Sequence, residues 1–206
     1  MVKVGEKTKI RKLERIDLDR MVKWGKHDEP IFYHYNFPEL SKDERDLWYV
    51  LKAKKFRKKC FAIEKLDGKL IGYISLRDIK YLRRESELGI VFDPDIINNG
   101  YGTDALNNFL EIYFNKYKMK ALFLKVAKFN KRALRCYQKC GFQIIDEVYE
   151  EFEEQFMSED VKKDILEKYE EFDLKDGKLM TTYYYMEITK RKYIIHKQNL
   201  ELLITL

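Results

Sequence analysis

The organisation of the chain changes once, near Phe92, and that change limits the fold more than anything else in the sequence. Before it, Phe61-Ala62-Ile63 and Leu70 to Ile74 flank Asp67-Gly68, a dipeptide that tolerates positive φ in a tight hairpin turn. A third strand of the same meander fits Glu85 to Phe92. Beyond it, strands alternate with helices. Leu106, Leu110, Tyr113 and Tyr117 form a helical stripe within a helix expected from Gly102 to Tyr117. Ala121 to Val126 reads as a buried strand, and a second helix runs from Lys131 to Cys140, with Gly141 placed as its left-handed stop. A further strand starts at Phe142-Gln143-Ile144-Ile145. A meander followed by a β-α-β-α-β unit implies a mixed α/β class on one largely continuous sheet.

The flanks extend this plan. Lys7 to Leu13 is expected as a first strand, and Asp17-Leu18-Asp19 opens a helix to about Lys26. The segment from Gly25 to Leu40 is irregular and aromatic. Ser41 and Glu44 then have the spacing of a capping box, starting a helix that carries Leu47, Trp48, Val50 and Leu51. Residues 150 to 173 are rich in acid, yet Val161, Ile165, Tyr169 and Phe172 recur at helical spacing, so an amphipathic helix is expected there. Asp176-Gly177 turns the chain into a last strand, Leu179 to Ile188, and an apolar tail closes the sequence at Leu200 to Leu206.

Composition fits a single domain over 1–206, with an acidic helical insertion at 150–175 and a C-terminal tail at 190–206. Hydrophobic residues make up 45% of the chain and aromatics 15%, enough for a sizeable core, while 3 Pro and 9 Gly exclude a linker-rich or collagen-like chain. No apolar run approaches a membrane span, and Met1 to Glu6 lacks the apolar core of a signal peptide, so a cytoplasmic protein without a membrane partner is expected. Three cysteines read as free thiols, and no metal is expected, since Cys136 and Cys140 have no nearby His. Cys136, beside Tyr137 but turned about 100° from it on the helix, reads as core. The excess of 41 Lys and Arg over 35 Asp and Glu leaves a net charge of +6, concentrated between Lys52 and Lys59. A solvated helix end explains that cluster. No nucleic-acid-binding motif accompanies it, so nucleic acid is not an expected partner.

Chemistry enters at Asn98-Asn99-Gly100-Tyr101-Gly102-Thr103, between a strand and a helix. Glycines there let backbone N–H groups converge on an anion at the positive end of a helix dipole. The segment is not a P-loop, because no Gly-Lys-Ser/Thr follows, and the dinucleotide fingerprint lacks its third glycine. Asn130, Ala133, Tyr137, Gly141 and Phe142 then form N-x-x-A-x-x-x-Y-x-x-x-G-F directly after a strand, with Ala133 and Tyr137 sharing a helix face.

The combination of G-Y-G-T with this Asn/Tyr helix resembles the GNAT superfamily of acyl-CoA-dependent N-acetyltransferases. Glu87-Leu88-Gly89-Ile90 resembles the RimJ/RimL branch, which acetylates protein N-termini. The resemblance implies a central, mostly antiparallel mixed sheet of about seven strands, with one splayed pair and helices on both faces. It implies acetyl-CoA as co-substrate, with pantetheine along Ile90, Val91 and Phe92 and pyrophosphate on Asn98, Asn99, Gly100, Tyr101, Gly102 and Thr103. Asn130 matches a pantetheine contact, Tyr137 the general acid and Glu87 a carboxylate that relays the amine's proton. His34 and Tyr35 fall on the acceptor wall. Ile97 stands where the family usually has Arg or Gln.

The implied acceptor is a primary amine: a protein N-terminus, a polyamine, an aminoglycoside or another small amine. The acidic stretch 150–173 favours a cationic one. The alternative is a non-catalytic acyl-CoA-binding module on the same fold. The terminal strand and tail are candidates for a homodimer contact.

Overall fold

The computed structural model describes residues 2–204. Nine strands form one sheet: β1 (Val2–Val4), β2 (Thr8–Lys12), β3 (Lys59–Lys65), β4 (Leu70–Lys80), β5 (Glu85–Phe92), β6 (Ala121–Ala127), β7 (Gln143–Glu151), β8 (Phe172–Lys175) and β9 (Lys178–Thr189). Their order is β1-β2-β3-β4-β5-β6-β9-β7, with β8 on the stretch of β9 that lies beyond β6. Every neighbouring pair is antiparallel except β5 and β6. That parallel pair needs a crossover, which α3 (Tyr101–Glu111) supplies, its last turns widening at Ile112–Lys116.

Both faces of the sheet are covered, and β3 is accordingly buried on both sides from Cys60 to Glu64. On one face α3 and α4 (Lys131–Lys139) pack through Phe109, Leu110, Tyr113 and Tyr137. On the other, Leu18 and Met21 of α1 (Arg15–Met21) meet Trp24, Phe37 and Trp48 of α2 (Lys42–Tyr49). A third cluster joins Ile31, Phe129, Phe152, Ile165, Phe172 and Tyr183. The Ser41 and Glu44 capping box forms as expected, with Ser41 N–H donating to Glu44 at 2.7 Å.

Several expectations need correction. The first helix begins at Arg15, so Asp17 is its third residue, and the Asp17 carboxylate reaches back to the Glu14 N–H at 2.8 Å. β1 and β8 raise the strand count above the expected seven. β9 enters between β6 and β7, leaving β7 as a charged edge, which suits an exposed strand. The acidic stretch is not one helix. β7 runs to Glu151, α5 occupies Glu159–Lys168, and Phe172 opens the β8–β9 hairpin around Asp176 and Gly177, both at positive φ. The tail forms α6 (Lys190–Ile204), whose Tyr193 ring stacks on Phe114 at 5.1 Å. The last two residues of the expected tail lie outside the described residues. No described helix is long and apolar enough to cross a membrane.

Candidate active site

β5 and β6 pair only at Glu85–Ala121, Ser86–Leu122 and Glu87–Phe123, and then diverge. From Leu88 to Phe92 no described strand pairs with that edge of β5, so its backbone polar groups face an open gap. At the end of the gap the chain turns through Pro94–Ile96 into the loop before α3. Asn98 (φ 70°) and Gly100 (φ 77°) are both left-handed, folding the backbone so that the first amides of α3 are left without intrahelical acceptors. Asn99 Nδ2 secures the loop by donating to the carbonyls of Ile96 (3.2 Å) and Ile97 (3.1 Å). Asp104, in the first turn of α3, accepts from Thr8 N–H at 2.8 Å and from Lys7 N–H at 3.2 Å, which ties the helix start to β2.

α4 forms the other wall. Asn130 caps it, its Oδ1 accepting from Ala133 N–H at 3.1 Å. Tyr137 is 9% exposed, and burial pushes its phenol well above the ordinary range. Burial also carries Tyr35 up to about 12. The His34 ring lies tilted against that of Tyr35, with centroids 3.9 Å apart. Burial, assisted by His27, lowers its imidazole to about 4, so it is neutral at pH 7. His34 Nδ1 is buried without a hydrogen-bond partner, while Nε2 lies 4.0 Å from Glu153 Oε2. Lys125 ion-pairs with Glu150, reaches Glu153 at 3.9 Å and lies 3.9 Å over the Tyr183 ring.

One cavity of about 500 Å³ joins these parts. An extended chain with phosphates at one end fits its shape: an unpaired strand edge along one side, a left-handed loop at a helix start and cationic side chains around the rim. An acyl-CoA has that form. The model for the Acetyltransferase (GNAT) domain matches residues 7–143. The chain belongs to the GNAT acetyltransferase family.

Among curated proteins, this GNAT chain is similar to the spermidine N(1)-acetyltransferase of Vibrio cholerae serotype O1, with 28% identity covering 75% of this chain and 89% of the relative. It is also similar to the Escherichia coli K12 enzyme of the same name, at 27% identity over 70% of this chain and 77% of that one. Its fold matches a crystal structure of spermidine N-acetyltransferase from Vibrio cholerae in complex with CoA and spermine. There the TM-score is 0.68 at 24% identity, over 91% of this chain and 98% of that one. These relatives are named spermidine acetyltransferases, so the comparisons do not single out the RimJ/RimL branch that Glu87 to Ile90 resemble.

The cavity of this GNAT domain brings together Ile90, Val91, Phe92, the loop from Asn98 to Thr103, Asn130, Tyr137, His34 and Tyr35. It does not include Glu87. That residue is the register partner of Arg77 on β4, and its carboxylate is held in an ion pair with Arg77, which does line the cavity. A cross-strand partner of opposite charge is the physical reason. Ile97 lines the cavity, and cations on other elements surround it: Arg132, Arg135 and Lys139 on α4, and Lys52 and Lys58 from the basic cluster. The three on α4 are spaced three and four residues apart, a one-face pattern that the sequence carries alongside the Asn/Tyr motif. Lys125, Glu153 and Tyr183 carried no local signal, because three separate segments deliver them. Cys136 is half-buried and faces the cavity rather than the core.

Proposed function

We propose that this chain transfers the acetyl group of acetyl-CoA directly to a primary amine of a polyamine. The observation that carries the reading is the continuity of one cavity from the open edge of β5 and the left-handed loop, past Tyr137, to the wall of His34, Tyr35, Glu153 and Tyr183. Pantetheine pairs with β5 in the gap, and the pyrophosphate rests on the amides at the start of α3. The neutral amine attacks the thioester carbonyl, the tetrahedral intermediate loses its ammonium proton to water as it expels the CoA thiolate, Tyr137 gives that thiolate its proton, and solvent then reprotonates Tyr137. Alignment of the two substrates supplies much of the acceleration, and no acyl-enzyme forms.

Two features support a polyamine. The curated relatives carry that activity in their names. Of the acidic stretch, Glu153 lines the cavity, where it attracts a second ammonium beside the neutral His34. The test is thiol release from acetyl-CoA across spermidine, spermine, butylamine and a short peptide with a free N-terminus. The polyamines should give the highest kcat/KM. Preference for the peptide or for butylamine would refute the substrate class.

A further inference from the structure

Acetyl transfer makes no use of two thiols that stand beneath the loop. Cys136 Sγ lies 3.6 Å from Thr103 Oγ1, and Cys140 Sγ lies 3.7 Å from the Thr103 carbonyl oxygen. A Cβ placed on Gly102 would come within 3.3 Å of Cys136 Sγ, so the start of α3 rests on that sulfur. Cys140 is fully buried, whereas Cys136 is half-buried and opens on the cavity. With α3 packed on one side, any group added to the Cys136 sulfur extends into the cavity, over the amides that receive the phosphates.

We propose that Cys136 is a thiol-modification site: it exchanges with small disulfides when the cavity is open, and its adduct and acetyl-CoA exclude each other. The inference rests on the reading of the loop as the phosphate site. In the exchange, the Cys136 thiol loses its proton to water and its sulfur attacks one sulfur of R–S–S–R. The old S–S bond breaks, a Cys136–S–S–R bond forms, and the second half leaves as R–S⁻. Cys136 is oxidised by the disulfide and the leaving half is reduced.

The surroundings favour this sulfur over the other two. The neighbouring Cys140 thiol, the Thr103 hydroxyl 3.6 Å away and the charge of Lys139 bring Cys136 down to about 7, against the opposing effect of burial. The same thiol contact and burial push Cys140 up, and burial carries Cys60 to about 12. At neutral pH, thiolate is therefore concentrated at Cys136.

The test treats the full chain with dithiodipyridine, follows thiopyridone release by absorbance and locates the adduct by peptide mass spectrometry. Cys136 should be labelled first, with activity lost in step and restored by dithiothreitol. Acetyl-CoA carries no free thiol, and at roughly ten times its dissociation constant it should slow labelling about tenfold, since protection scales with occupancy. Cys136→Ser and Cys136→Ala should each keep their own untreated rate through the treatment. The labelling measurement uses the unaltered chain and stands even if a substitution disturbs folding. First labelling at Cys60 or Cys140, or full activity with Cys136 labelled, overturns the inference. So does labelling that acetyl-CoA fails to slow in a protein that still turns over, and that result leaves the proposed function intact. Absence of acetyl-CoA binding by calorimetry overturns both.

Discussion

Replacing Tyr137 with Phe removes one oxygen and leaves the rest of the site in place. The ring still packs against Phe142, with centroids 5.9 Å apart, and the α4 backbone bonds do not involve the hydroxyl. Folding stability should therefore change by no more than about 1 kcal/mol, the usual scale of one hydroxyl. The effect on rate is much larger. Proton donation to a leaving group contributes roughly 10²–10⁴ in rate, or about 3–5 kcal/mol of barrier. Burial raises the Tyr137 phenol, so it stays protonated, and thus competent as an acid, beyond the pH at which an ordinary tyrosine ionises. Wild-type kcat should consequently show no fall assignable to this group between neutral pH and pH ~10. The assay is steady-state thiol release with spermidine, measured against pH for wild type and Tyr137→Phe. The variant should lose roughly 10²-fold or more in kcat while its KM for acetyl-CoA is nearly unchanged. A variant that keeps more than about a tenth of kcat would refute Tyr137 as the acid.

Four further outcomes follow from other parts of the structure. Gly100→Ala places a Cβ at φ 77° and 3.2 Å from the flexible end of Lys7. It should cost roughly 1–2 kcal/mol in a thermal melt and raise the KM for acetyl-CoA. Arg11 bonds both oxygens of Asp17 (2.6 and 2.7 Å) and also Glu64 (2.7 Å), and Asp17 is fully buried. Arg11→Met should therefore destabilise by about 3–5 kcal/mol in urea titrations. His34 has a folded pKa of about 4 against an ordinary 6.5, so the unfolded chain takes up the proton first as pH falls. Its contribution is full above pH 6.5 and lost towards pH 4, up to about 3 kcal/mol, and His34→Gln should flatten that part of a stability–pH curve. Glu153 is half exposed, so Glu153→Gln should raise KM for spermidine only about two- to fivefold and leave butylamine unaffected.

What the sequence disclosed was local. The Asp67-Gly68 hairpin, the Ser41 capping box, the glycine loop and the Asn130 to Phe142 helix are each specified by residues close in the chain, and all of these segments form as expected. Strand order is a different kind of property. Nothing near Ala127 or Gln143 announces that β9, which starts only at Lys178, will separate β6 from β7. Phe172 fits a helical stripe with Ile165 and Tyr169 by spacing, yet pairing with Thr181 across the Asp176-Gly177 turn makes it a strand residue. The site divides in the same way. The half proposed to hold CoA sits on two contiguous motifs and is legible. The half proposed to hold the acceptor is assembled from the segments around His34, Lys125, Glu153 and Tyr183, which meet only after folding. Glu87 illustrates the converse, because its sequence position fits a base while the register of β4 and β5 sets it opposite Arg77.

The proposed reaction is direct acetyl transfer between two substrates held in one cavity. The measurement that bears on it most directly is parallel quantification of free CoA and N-acetylated spermidine by mass spectrometry, with the protein itself examined for acetylation in the absence of amine. Equal amounts of the two products are expected, both dependent on the protein, with no acetylated protein when amine is withheld. Binding of acetyl-CoA without acetylspermidine would contradict direct transfer, as would a stable acetyl-enzyme formed before the amine is added.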